Sequence, residues 1–309
     1  MIAVLQRELL VGLRRGAPYG LLAANALLLA ALAIAVGAVA GTISPWTAPS
    51  IGSTTSPSPT GLGPTLVAWR GPVLFFVLAT WIALVASATA PLGGARALTA
   101  ERAGGTLDAL IGSGVSPLGL VLGKAIGAGL QVVLVLLSGA PAFALVWLFG
   151  GVSTRVVLLA AGLLLAYTGL LVVIGLLAGT ILPGELPPAV VGGAIGGLLM
   201  IGALIGFAVA LLSGSGRAAG ALALASPTVG LLTANRDLAD ALVRTVPGLP
   251  ALPLQPTLEL AGRSVTAPLP LVAGLLYGAL ALALLSFAAA LVDPYHPFKT
   301  LRLRRRSDE

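Results

Sequence analysis

The chain has no cysteine and a single histidine, His296. No disulfide framework or thiolate metal site can form. There is no HExxH motif and no cluster of histidines and carboxylates, so metal and cysteine-nucleophile chemistry have no residues to act through. Charge is also scarce. Asp, Glu, Lys and Arg make up 9% of the 309 residues, where a soluble domain carries about 25%. Such a chain cannot cover itself with polar surface, and its solvent is largely lipid. What it has instead is apolar length. Hydrophobic residues are 58% of the chain, mean hydropathy is +1.06, and several runs reach the roughly 18 residues needed to cross hydrocarbon. The runs are continuous rather than alternating, which argues against a β-barrel. The net charge of +7 reads as membrane orientation rather than nucleic-acid binding, because the basic residues flank apolar runs.

The expected fold is therefore all-α: a polytopic membrane protein, one transmembrane unit over residues 1–309. Residues 1–16 put Ile2, Leu5, Leu9 and Leu13 on one helical face and Arg7, Glu8, Arg14 and Arg15 largely off it, as in a helix lying in the membrane interface. Six spans are expected, at 19–40, 71–90, 117–149, 156–178, 189–212 and 269–292. A secretory signal is the rival reading of the first, since Ala38-Val39-Ala40 resembles a cleavage site, but the apolar run is too long for a signal core. Pro91, Gly93 and Gly94 are expected to loosen the end of the second span. Ser116 is expected to cap the third, with Pro117 at its first helical position. At 1.5 Å per residue that span would be about 50 Å long, so it must protrude, tilt or kink at Pro141.

The fifth span carries the pairs Gly192/Gly196, Gly193/Gly197 and Gly202/Gly206, which permit close helix approach. That approach serves packing inside the subunit, a subunit interface, or a helix that slides. Residues 213–268 form a long insert before the sixth span. Within it Ala218–Leu232 is apolar but short and is interrupted at Ser226-Pro227, so it is interfacial or re-entrant. Asn235–Val246 reads as a small amphipathic helix, followed by proline-rich loop.

Basic residues set the expected orientation. With the N-terminus inside, the inner set is Arg7, Arg14, Arg15, Arg96, Arg102, Lys124, Lys299, Arg302, Arg304, Arg305 and Arg306. It outnumbers the outer set of Arg70, Arg155, Arg217, Arg236, Arg244 and Arg263, most of which lie in the long insert. Residues 98–116 are then cytoplasmic, residues 213–268 extracytoplasmic, and both termini cytoplasmic.

No catalytic set emerges. Gly119–Lys124 fails as a phosphate loop, because Leu118 stands where its first glycine should be and Ala125 replaces Ser or Thr. Secondary transport normally needs ionisable groups at membrane depth, and the spans hold almost none. That favours an apolar or amphipathic cargo, or a path at a subunit interface. Asn25, Ser87, Gln131, Ser138, Tyr167, Thr168 and Tyr277 either line a path or join helices by hydrogen bonds.

The segment 98–116 is the conspicuous polar interval. Thr106 is expected to cap a short helix with Asp108 in its first turn and Leu107, Leu110 and Ile111 on one face. Such a helix rests on headgroups or docks into a groove on a soluble partner. Here Glu101-Arg102-x-x-Gly105-Thr106-Leu107-Asp108, then Leu110, Val115-Ser116-Pro117 and Gly123-Lys124, resembles the inner loop of the ABC-2 type transporter permease family. The resemblance implies a membrane subunit of an ABC exporter in the cell inner membrane, paired with a second permease copy or a paralogue. It implies two cytosolic ATPase subunits that hold the ATP and Mg, with no cofactor in this chain. It assigns Glu101, Arg102, Gly105, Thr106, Leu107, Asp108, Leu110 and Ile111 to ATPase coupling. A non-transport assembly or scaffold subunit and a secondary transporter are the alternatives.

Overall fold

A computed structural model describes residues 17–42, 70–106, 116–150, 152–182, 186–235, 238–240, 257–260 and 263–292. The expected interfacial helix at 1–16, most of the loop helix with Leu107, Asp108, Leu110 and Ile111, and most of the helix expected at Asn235–Val246 lie outside these residues.

Among the described residues five helices are long and apolar enough to cross a membrane, the expected first span at 19–40 not among them, and the chain is a multi-pass membrane protein. Helix α1 runs Ala17–Thr42 and α2 runs Arg70–Ala103. The third expected span is two helices, α3 (Pro117–Leu137) and α4 (Ala140–Phe149). Helix α5 is Thr154–Ile181. The fifth expected span is α6 (Leu186–Gly197), a π turn at Leu198–Gly202, and α7 (Ala203–Leu212). Helices α8 (Gly216–Ala225) and α9 (Pro227–Ala234) follow, and α10 (Leu269–Val292) closes the fold.

One element lies outside the all-α expectation. Strands β1 (Thr257–Leu260) and β2 (Arg263–Thr266) pair antiparallel, with Thr257 opposite Thr266 and Leu260 opposite Arg263. The two-residue Ala261-Gly262 connection between segments holding Thr257, Val265 and Thr266 is a hairpin signal that the surrounding apolar runs obscure.

Helix α2 corrects the expected boundary at Ala90. It passes straight through Pro91 to Ala103. Proline removes one intrahelical donor, and here tertiary packing holds the helix together across the gap. Of the glycines expected to loosen it, Gly94 brings it against α5 and Gly93 faces Ala128 and Val132 of α3. A β-carbon on Gly94 would overlap the Val172 carbonyl, and one on Gly175 would overlap the Pro91 carbonyl. These two helices form the centre of the bundle, with Leu74, Leu78, Leu163, Tyr167, Leu170 and Leu171 all at most 1% exposed.

The third span breaks at Ser138–Gly139, just ahead of Pro141. Pro141 falls in the first turn of α4, where its missing N–H leaves no bond unmade, so the proline starts the second helix instead of bending one long helix. At the other end Ser116 caps α3 as expected, its hydroxyl accepting from Gly119 N at 3.1 Å, with Pro117 first in the helix.

Helices α8 and α9 pack into the bundle. Ser226 at their junction is fully buried, and its hydroxyl accepts from Val229 N to cap α9. Leu163 packs on Gly230, and Tyr277 donates to the Ala225 carbonyl at 2.9 Å. The two residues stand about 12–14 Å along their helices from the ends at Thr154 and Leu269, at 1.5 Å per residue. The pair therefore packs well inward from that end of the bundle.

Candidate functional site

The polar interval begins inside α2. Its last turn ends in two nested bonds, Thr106 N to Glu101 O at 3.1 Å and Gly105 N to Arg102 O at 3.2 Å. This is a Schellman closure, and it needs a left-handed residue at Gly105, which has φ 65°. Gly105 is thus the stop of the second span. Glycine after a turn containing arginine is the sequence signal for such a stop.

Fixing the helix to this point aims two charged side chains. Glu101 is buried and pairs with Lys124, with Nζ 2.8 Å from Oε1. Lys124 lies two turns into α3 and is 2% exposed. The Thr106 hydroxyl also donates to the Glu101 carboxylate. Sequence reading named Glu101 and Lys124 but did not join them. A carboxylate and an ammonium on either side of one loop, in a chain with so few charges, were the available signal.

Arg102 points the other way. Its Nη1 donates to the Gly179 carbonyl at 2.6 Å and its Nη2 to the Thr180 carbonyl at 2.9 Å. These are among the last carbonyls of α5, which lack intrahelical donors and carry the negative end of the helix dipole. A guanidinium fork is well shaped for adjacent carbonyls. Glu101 and Arg102 therefore bind the ends of α2, α3 and α5 into one unit.

The glycines of the fifth span face the chain itself. A β-carbon on Gly192 would lie 2.5 Å from Pro91 Cβ, and one on Gly196 would lie 3.3 Å from Ser87 Cβ. Gly193 faces the Ser87 carbonyl at 3.9 Å, whereas Gly197 has nothing within 4 Å. The first three serve packing within the subunit.

Most of the polar groups expected at membrane depth join helices. Asn25 Nδ2 donates to Val135 O and Ser138 Oγ, both at 3.0 Å, and Trp81 Nε1 donates to Asn25 Oδ1 at 3.2 Å. These bonds attach α1 and α2 to the break between α3 and α4. Deeper in the bundle, Tyr167 Oη lies 2.7 Å from Ser87 Oγ and 3.0 Å from the Gly196 carbonyl. Tyr277 holds Ala225, while Thr168 Oγ is buried with no hydrogen-bond partner among the described residues. Gln131 is half-buried.

An apolar cavity of about 490 Å³ opens between α2, the α3–α4 break and α5, lined by Phe75, Ile82, Leu136, Phe143, Trp147 and Leu164 among others, none of them charged. Among the described residues no three of His, Cys, Asp and Glu converge in a way that could hold a metal ion. The assembled geometry has charged contacts at one end of the bundle, the buried α8–α9 pair at the other, and polar bonds that join helices between. No protein-family model and no curated protein matches the chain.

Proposed function

We propose that the chain is the membrane-spanning permease subunit of an ATP-binding-cassette exporter of the ABC-2 type, driven by a separate cytosolic ATPase. The observation that carries this reading is the anchoring of Glu101 and Arg102. These are the charged residues that open the family-like motif, and they tie the root of segment 98–116 to α3 and α5. A coupling segment needs such a root, because force received by a loop is lost unless the loop is fastened to the helices it must move. In this reading α1 is the first of six spans and α3–α4 together make the third. The 98–116 end and both termini face the cytoplasm of an inner-membrane protein, and residues 213–268 lie outside. A second copy or paralogue completes the path, ATP and Mg stay on the ATPase, and the uncharged cavity suits an apolar or amphipathic cargo.

Secondary transport has one observation in its favour. Glu101–Lys124 is a buried ionisable pair of the sort that proton relays use. It sits at the end of the bundle, where it fastens a loop, rather than at mid-depth where a relay would lie.

The test is reconstitution of the full chain with its candidate ATPase. Leu110→Asp puts a charge on the expected docking face, which costs several kcal/mol if that face is buried. The variant should fold and insert but lose co-purification and ATP-dependent flux. Wild-type behaviour of this variant would sink the coupling assignment, and flux that follows a proton gradient without ATP would favour secondary transport.

A further inference from the structure

The π turn at Leu198–Gly202 sits between two helices that are held by different neighbours. On one side α6 packs on α2 and α5 through Gly192 against Pro91 and Gly196 against Ser87 and Leu171. On the other side α7 packs on the α8–α9 pair. Leu222 lies 3.3 Å from a β-carbon built on Gly206, and Phe207, Ala210 and Leu211 share a core with Ala219, Ala223 and Val229. A π turn is an α-helix with one residue too many, is rare, and recurs where helices move or bind. No proline lies within these residues to account for it.

Beside the turn is a latch with too few protons. Ser87 Oγ is 2.8 Å from the Ala83 carbonyl and 2.7 Å from Tyr167 Oη, which is 3.0 Å from the Gly196 carbonyl. Each hydroxyl has one proton to donate, so two protons serve three contacts. When Ser87 donates to Ala83 and Tyr167 donates to Ser87, the Gly196 carbonyl is released. No heavy atom has to move. Met200, inside the π turn, closes the same group with Sδ 3.9 Å from Ser87 Oγ.

We propose that Leu198–Gly202 is a hinge, and that it lets α7 swing with α8 against α2, α5 and α6, while α9 stays seated on α5 through Gly230 and Leu163. Tyr167 and Gly196 both lie on the fixed side, so their bond steadies the end of α6 from which the hinge turns, and rotation of the Ser87 and Tyr167 hydroxyls loosens that end. The hinge goes beyond the exporter reading and does not depend on an ATPase, because it belongs to the bundle alone.

The test uses the full chain in lipid nanodiscs without any partner. It has no cysteine, and Val190 and Val209 are 67% and 60% exposed on α6 and α7, so Val190→Cys and Val209→Cys accept a spin-label pair. Pulsed electron–electron resonance should show two distance populations. Deleting Ile201 removes the extra residue of the π turn while keeping both flanks in phase, and should leave one population. Tyr167→Phe keeps the chain length and should shift the ratio of populations about five-fold away from the arrangement seen here, the equivalent of one ordinary buried hydrogen bond. A single population in the parent chain, or two that persist in the deletion variant, overturns the hinge. An unchanged ratio in Tyr167→Phe overturns the latch, and this second variant decides independently if the deletion impairs folding.

Discussion

Lys124 reaches from the second turn of α3 to the last turn of α2 and places its ammonium 2.8 Å from the Glu101 carboxylate, both side chains nearly excluded from solvent. Removing one partner leaves the other charge buried, which costs about 3–5 kcal/mol, whereas replacing both by neutral groups of similar volume is often close to neutral. Lys124→Met should therefore lower the thermal midpoint of the purified protein sharply. The double variant Glu101→Gln with Lys124→Met should recover most of that loss. A double variant that adds the two single losses would show that the pair is not coupled.

Arg102 makes a separable contribution. Its fork donates to Gly179 and Thr180 carbonyls at the negative end of α5, but the side chain is only partly buried, so solvent screening trims the gain. We expect Arg102→Gln to cost about 1–2 kcal/mol and Arg102→Lys roughly half of that, because an ammonium keeps the charge and loses the fork. Equal midpoints for the two variants in thermal unfolding would show that charge at this helix end contributes nothing.

Length and hydropathy sufficed to read a helical membrane bundle, and Ser116-Pro117 located the start of α3 to the residue. The failures share a cause. Local rules make Pro91 loosen the end of the second span and leave the third to protrude, tilt or kink at Pro141; packing decides the first and the helix break at Ser138–Gly139 the second. Pro91 is spanned because α5 and α6 close on it, and Pro141 is harmless because the break comes just before it. The Glu101–Lys124 pair and the Tyr167 latch were out of reach for a related reason. Each joins residues far apart in sequence, and only the register of α2 against its neighbours brings them together. The π turn has no sequence signature in its own residues.

The glycines offer a direct check of that register. Gly94 and Gly175 sit where α2 and α5 meet backbone to backbone, and a β-carbon at either would overlap a carbonyl of the other helix. Gly94→Ala and Gly175→Ala should each cost about 3 kcal/mol or more through forced separation of the helices. Gly162, also in α5, has nothing within 4 Å of a built β-carbon. Gly162→Ala should be neutral or stabilise by up to about 1 kcal/mol, the helix preference for alanine over glycine. Melting all three in one detergent tests the contrast, and a destabilised Gly162→Ala beside an unaffected Gly94→Ala would contradict the packing.

The absence of cysteine makes sidedness measurable one residue at a time. Gly104 and Ser215 are both exposed, at the end of α2 and the start of α8 respectively. In the proposed topology the chain crosses through α3–α4, α5 and α6–α7 on the way from one to the other, which would put the two positions on opposite sides of the membrane, with position 104 cytoplasmic by the excess of basic residues. In intact cells a membrane-impermeant maleimide should therefore label Ser215→Cys and spare Gly104→Cys until the membrane is opened. Labelling of both from outside would mean that the α3–α4 break does not span, and that the bundle has one crossing fewer between Gly104 and Ser215 than the proposed topology requires.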